Sequence, residues 1–342
     1  MTARPGTTST GSTLRRLLAT ATVLGALVLG GCAGPDGLVG LHPAPTEATT
    51  SAPLDADGAT AVAARLLAAR DATVGGNAKA DRAARAKVLT GDALRLADAR
   101  AAASGTPPEV SGLAAQPEPT IVAQSRGRQW PRAILASTLD EATDIQWLHV
   151  MTSDEPDQPF RIASSVPMFS GAELPALGDE GAGAPLLDTA GKNGRPHSAA
   201  DAVKAYAAAL AQPRGKATDV VAADDPFANR LRTASAAQAK ALGRLGALTQ
   251  THEPRLDDAI TFELADGGAV TFGLMKRTDT ISVKPAAKEL ILPAEYAKLV
   301  RKRTVTRSMV LNSLEPIVIV LPKTGKGRVI GASDLLVSGR GR

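Results

Sequence analysis

Apolar and polar positions along the chain fall into two successive series of similar order. Each opens with an alanine-rich stretch whose apolar residues recur at helical spacing, GATAVAARLLAARDAT at 58–73 and SAADAVKAYAAALAQ at 198–212. Asp57 and Ser198 stand where N-caps are expected, since a short side-chain oxygen can accept from the free amides of a first helical turn. A second helical stretch follows in each series, over about 78–103 and 226–248. The period then shortens to two. In AITFELADGGAVTFGL, 259–274, Ile260, Phe262 and Leu264 alternate, Asp266-Gly267-Gly268 turns the chain, and Val270, Phe272 and Leu274 alternate back, which predicts a hairpin. The first series has TIVAQSRGRQWPRAILAST, 120–138, in the same place, with Gly127 near its turn and Pro131 marking an edge strand or a bulge.

The last strands align without a gap. RIASSVPMFSG at 161–171 falls on VIGASDLLVSG at 329–339, an offset of 168, and the same offset places WLHVMTS (147–153) on EPIVIVL (315–321). The helices and first hairpins correspond at an offset of only about 137–140, so the second series carries roughly 30 extra residues. They fall at 284–312, where Pro293-Ala294-Glu295-Tyr296 starts a short helix. Gly and Pro cluster over 173–197, which reads as a linker between repeats at 54–172 and 198–342. The fold class expected is α+β: two tandem repeats, each with N-terminal helices packed on a curved, mostly antiparallel four-stranded sheet. This order resembles the cone-shaped fold of nuclear-transport-factor-2-like (NTF2-like) and cystatin-like proteins.

The start of the chain has a different character. Arg4, Arg15 and Arg16 precede a 13-residue, mostly apolar run, Leu17 to Leu29, too short to span a bilayer as a helix. Gly30 and Gly31 follow, as at a signal-peptide cleavage site, and then the single cysteine, Cys32. One cysteine makes no internal disulfide and is a poor start for a zinc site. Leu29-Gly30-Gly31-Cys32 resembles the lipobox of bacterial lipoproteins. That resemblance implies cleavage after Gly31 and a diacylglycerol on the Cys32 sulfur, with or without an N-acyl chain. Acyl chains contribute about 0.8 kcal/mol per buried CH₂, enough for two or three to hold a protein on a membrane. Residues 32–53 carry Pro, Thr and Ser without a helical or strand period; they read as a flexible tether with a reach of about 60 Å.

With 1–31 removed, 36 basic side chains face 34 acidic ones, which gives no electrostatic reason to expect nucleic acid. The alanine- and arginine-rich, aromatic-poor composition resembles that of a high-GC actinobacterium. Lipobox, tether and two α+β units together resemble an uncharacterised family of actinobacterial lipoproteins. That likeness implies an address on the extracytoplasmic face of the cell membrane and brings no site residue with it.

Candidate chemistry is sparse. His42 and His197 lie in the tether and the linker, His149 in a strand and His252 in a loop before the hairpin, none with a second ligand at metal-binding spacing. No metal, cofactor or catalytic constellation is expected. Ser282-Val283-Lys284 imitates a serine–lysine dyad, but residues i and i+2 of a strand simply share a face. Asp55-Ala56-Asp57-Gly58 lacks the later ligands of a calcium loop, and TGKGRVIG (324–331) lacks the lysine–hydroxyl end and the helix of a phosphate loop. Asp224-Asp225 and Asp257-Asp258 read as solvated turns. One cluster is unusual: Lys298, Arg301, Lys302, Arg303 and Arg307, all inside the extra segment, suited either to a helix C-terminus or to an anionic surface. The function expected is non-enzymatic: an envelope lipoprotein that binds or scaffolds a protein, wall polymer or lipid. The alternative is a lipid or glycolipid carrier with a cavity between helices and sheet, lined from among Leu66, Leu67, Trp130, Leu148, Val203, Tyr206, Phe262, Phe272 and Ile319.

Overall fold

The computed structural model of the chain describes residues 51–74, 82–102, 118–127, 129–215 and 218–342. Gly31, Cys32 and the expected tether up to residue 50 lie outside the described residues. The first helix, α1 (Ala56–Val74), is capped by Asp55 rather than the expected Asp57: the Gly58 amide donates to Asp55 Oδ1 at 2.7 Å. The second helical stretch is broken. Its described part forms α2 (Arg82–Val88) and α3 (Gly91–Ala102), because the chain leaves the helix at Leu89–Thr90 to bond strand residue Ile162. The Thr90 amide donates to the Ile162 carbonyl at 2.9 Å. An antiparallel sheet follows in the order β1 (Thr120–Gln124), β2 (Arg132–Asp140), β3 (Ile145–Ser153), β4 (Arg161–Pro167). Pro131 lies just outside β2, and the irregularity sits instead in the edge strand β1, between Ile121 and Ala123.

The second half also runs from helices to an antiparallel meander. Ser198 caps α4 (Ala199–Leu210) through a full capping box with Asp201. Asp225 caps α5 (Pro226–Leu242), which stops at Gly243 (φ +49) six residues before the expected end. The hairpin is longer than the alternation of 259–274 suggests: β5 (Gly246–Glu263) and β6 (Ala269–Val283). The extra segment forms β7 (Leu290–Ile291), α6 (Ala294–Val300) and β8 (Thr304–Val305). Then come β9 (Ser308–Leu321), β10 (Arg328–Ala332) and β11 (Leu335–Gly341), so the predicted strand 329–339 is two strands. The sheet order is β10-β9-β6-β5, and β11 pairs with the other end of β9.

The two sheets pack face to face. Leu135, Leu148, Val150 and Val166 of the first meet Phe262, Val270, Phe272, Val318 and Val320 of the second in one buried cluster. The outer face of the first sheet is covered by α1–α3 through Leu66, Leu67, Ile134, Met151 and Ile162. The outer face of the second is covered by α4 and α5 through Val203, Tyr206, Phe227, Ile317 and Ile319. Strands buried on both faces explain the unbroken apolar run Ile317–Leu321.

Both open edges of this sandwich are closed. Met168, just past β4, bridges to Gly331 of β10; a Cβ on Gly331 would stand 2.5 Å from the Pro167 carbonyl oxygen, so only glycine permits that approach. At the opposite edge, the segment expected as an interdomain linker bridges both sheets: Ala184 pairs with Ser125 beside β1, and Leu186 pairs with Phe262 of β5. The 173–197 stretch is therefore a packed strap that seals two sheet edges rather than a separator. Residues 51–53, expected as the end of the tether, are held as well: the Ala52 amide donates to the Gly181 carbonyl, and Gln124 exchanges two hydrogen bonds with the backbone of the next residue, Leu54.

Candidate functional site: a basic tip beyond the sandwich

Strands β5, β6 and β9 run on past the first sheet. One face of this overhang is covered by α6, whose Val300 packs with Leu248, Ile281, Val305, Met309 and Leu311. Helix α6 begins after Pro293, as expected, and ends at Arg301, which takes left-handed geometry (φ +58) and donates its amide to the Ala297 carbonyl. The turn brings Lys302 and Arg303 back toward β8, where the Arg303 carbonyl accepts from the Leu292 amide. Arg307 immediately precedes β9. All five cations singled out in the sequence, Lys298, Arg301, Lys302, Arg303 and Arg307, are exposed on this tip.

The structure adds two that sequence spacing could not. Strand β11 runs antiparallel to β9, so Arg340 lies opposite Val310, and the Arg342 carbonyl accepts from the Arg307 amide at 2.9 Å. Arg340 and Arg342 are both exposed, making a tip of seven cations. Among the described residues, Arg301, Lys302, Arg303, Arg307, Arg340 and Arg342 enter no ion pair. The same segment carries Ile291, 81% exposed and paired with Thr304 across β7–β8. Exposed cations and an exposed apolar side chain on one segment form a surface suited to an anionic interface.

The other flagged residues serve the fold. Ser282 and Lys284 are exposed at the end of β6. Asp225, read as a solvated turn, caps α5 and accepts the Tyr206 hydroxyl on both oxygens at 2.9 and 3.0 Å. Burial pushes the Tyr206 hydroxyl up from its ordinary range, reinforced by the Asp225 charge. Asp258 sits at the register break of β5 and pairs with Arg95 of α3. Next to it Asp92 is buried, which pushes its carboxyl up to about 6 against the opposing pull of Arg95. TGKGRVIG forms the β9–β10 turn, with Gly325 at φ +95.

His252 is not in a loop. It lies in β5 with its side chain wholly buried, Nδ1 2.7 Å from Glu315 Oε2. Arg277 donates to Glu315 Oε1 at 3.0 Å, to Ser313 Oγ and to Asp279. The segment QTHEPRLDD reads as polar loop because every second residue is exposed and the buried ones, Gln250 and His252, are polar too. Among the described residues no group of three or more His, Cys, Asp or Glu side chains is arranged to hold a metal ion, and no helix is long and apolar enough to cross a membrane. The residues proposed for a carrier cavity are divided among packed clusters: Leu66 and Leu67 under α1, Leu148, Phe262 and Phe272 between the sheets, Val203, Tyr206 and Ile319 under α4.

Comparison with known proteins gives one family. The chain belongs to the family described as Domain of unknown function (DUF8094), matched over residues 75–341. The DUF8094 match runs through both sheets and the tip, so the family is defined by the joined structure rather than by either half. No curated protein and no solved structure matches the chain.

Proposed function

We propose that this DUF8094 protein is a non-enzymatic cell-envelope lipoprotein, anchored through Cys32, that binds or scaffolds an acidic envelope component at its basic tip. The observation that carries this reading is the set of exposed cations on one segment, Lys298, Arg301, Lys302, Arg303 and Arg307, with exposed Ile291 in the same segment and exposed Arg340 and Arg342 at the end of the adjoining β11. Each cation near an anionic surface contributes about 1 kcal/mol, and an apolar side chain entering the interface adds to that. The anchor rests on the lipobox resemblance of Leu29 to Cys32. We further infer that the two halves are copies of one NTF2-like unit. The shared order of helices then meander supports this, as does the constant 168-residue offset linking β3 to β9 and β4 to β10. The scaffold reading is favoured over a carrier because eight of the nine candidate lining residues, all but Trp130, pack into three separate clusters.

Sedimentation with vesicles tests the tip. The purified chain should bind phosphatidylglycerol vesicles and not phosphatidylcholine ones, with affinity falling as salt rises. Combined Arg301→Glu, Lys302→Glu and Arg303→Glu should weaken binding at least tenfold. Equal binding by the charge-reversed protein would sink the reading. The anchor is tested separately by Cys32→Ala, which should retain the precursor or release the protein from the membrane fraction; unchanged processing and extraction would overturn it.

A further inference from the structure

Among the described residues three large apolar side chains project into solvent: Leu139 (45% exposed), Leu245 (40%) and Ile291 (81%). Their surroundings differ in charge. Leu139 stands at the end of β2, ahead of Asp140, Glu141 and Asp144. Leu245 and Ile291 stand instead among cations. Exposed Arg244 precedes Leu245, and the amide of exposed Lys284 donates to the Leu245 carbonyl at 2.9 Å. Ile291 lies opposite Thr304, the residue after Arg303, and the Arg303 carbonyl accepts from the Leu292 amide at 2.9 Å. Over residues 284–307 seven cations face two acids, Glu289 and Glu295.

The fold brings the two apolar residues to one place although they are far apart in sequence. A Cβ on Gly246, next to Leu245, would stand 3.4 Å from Cδ1 of Leu290, next to Ile291. Leu290 and Val305 face each other across the β7–β8 pair and pack into the cluster with Val300. Side chains alternate along a strand, so the next pair, Ile291 and Thr304, faces away from that cluster. Single exposed apolar residues are ordinary on a protein surface. Two at one end of the molecule, both beside exposed cations, are a combination that one kind of surface matches. A hydrated acidic polymer answers the charges but offers no apolar phase. An anionic bilayer offers both, phosphate headgroups for the cations and, just beneath them, acyl chains for leucine and isoleucine.

We propose that Leu245 and Ile291 enter the acyl boundary of an anionic phospholipid bilayer while the cations beside them hold its headgroups. This rests on the reading of the tip as a site for an acidic component, and it specifies that component as lipid rather than polymer.

Cys32 is the single cysteine, so the full chain carrying Cys32→Ser and Ile291→Cys takes one environment-sensitive dye, at the tip. Phosphatidylglycerol vesicles should shift its emission to the blue, and lipids with a quencher on the acyl chain should quench it. A dye on Leu245→Cys should respond in the same way, and one on Leu139→Cys should keep its aqueous emission. Combined Leu245→Ser and Ile291→Ser, with the thermal midpoint as a check on folding, should lower affinity for these vesicles at least fivefold and leave binding of poly-L-glutamate unchanged. Aqueous emission from the Ile291→Cys dye at saturating vesicles, or full vesicle affinity in the folded double-serine variant, would overturn insertion. So would a blue shift with poly-L-glutamate and none with vesicles, which assigns the tip to an acidic polymer. Charge reversal at Arg301, Lys302 and Arg303 separates the two readings. Weakened binding without a dye response leaves an ionic tip and removes insertion alone, whereas equal binding by the charge-reversed protein removes both.

Discussion

The two sheets run four strands in the same order, but only the second outgrows the sandwich. In the first, no strand exceeds nine residues and both faces are covered, by helices outside and by the partner sheet inside. In the second, β5, β6 and β9 run for 14–18 residues, and their overhang needs its own cover, supplied by α6 and β11. The facing parts of the two sheets are spent on each other as core. Five exposed cations of the tip, Lys298, Arg301, Lys302, Arg303 and Arg307, lie instead on the overhang, where the surface is free to carry chemistry without disturbing the shared core. The same contrast holds for the buried histidines. His149 of the first sheet is neutral between two hydroxyls, whereas His252 of the second is tied to Glu315 and, through it, to Arg277.

The comparison can be broken most directly at the shared core. Phe272→Ala should cost about 4 kcal/mol, since Phe272 is buried between the sheets. Because both sheets use it, denaturant unfolding should remain one transition, with hydrogen exchange accelerated in β2 and β3 as much as in β6. Protection lost in the second sheet alone would show that the halves are energetically separate. Next in size is Glu315→Ala, which strands Arg277 and His252 and should cost about 3 kcal/mol by chemical denaturation.

Asp92 and His149 sharpen the contrast through pH. The Asp92 carboxyl is raised by burial to about 6, so between about pH 4 and 6 the folded chain holds a proton that the unfolded chain has released. Its contribution is fully present below about pH 4 and is lost as pH rises through 6, an effect on the order of 2 kcal/mol. Asp92→Asn should therefore stabilise the protein at pH 7 and flatten this part of the profile. His149 has the opposite sign. Its pKa is depressed by burial and Arg70, so its contribution is present above about pH 6.5 and is lost as pH falls. Thermal midpoints of the His149→Gln and Asp92→Asn variants from pH 4 to 8 should bend in opposite directions relative to the parent. The smallest effect is at a helix end: Asp225→Ala removes the α5 cap and the acceptor for Tyr206 and should cost about 1 kcal/mol, mainly felt in α5 exchange.

Local signals account for what was legible beforehand. The N-cap at Ser198, the Asp266-Gly267 turn and the Pro293 helix start depend on a few adjacent residues, and each formed where its pattern stands. The early part of β5 was illegible because its inward positions are polar; Gln250 and His252 are tolerable there only because Ser235, Asp279 and Glu315 arrive from elsewhere to meet them. The 173–197 stretch was misread for a related reason. Gly and Pro report that no helix or regular strand forms, not whether two sheet edges wait to be sealed. At Gly183 (φ +70), where a Cβ would lie 3.0 Å from the Gln124 carbonyl oxygen, the glycine serves close packing rather than freedom.

By itself the sequence determined the alternation of helices and strands, the two-part order, the extra segment and its five cations, since all are written in periods and neighbours along one chain. Only the tertiary structure decided that the halves share a core and that Arg340 and Arg342 join the tip. Those outcomes depend on which edges and faces meet across a hundred or more residues, and contacts of that kind leave no local period to read.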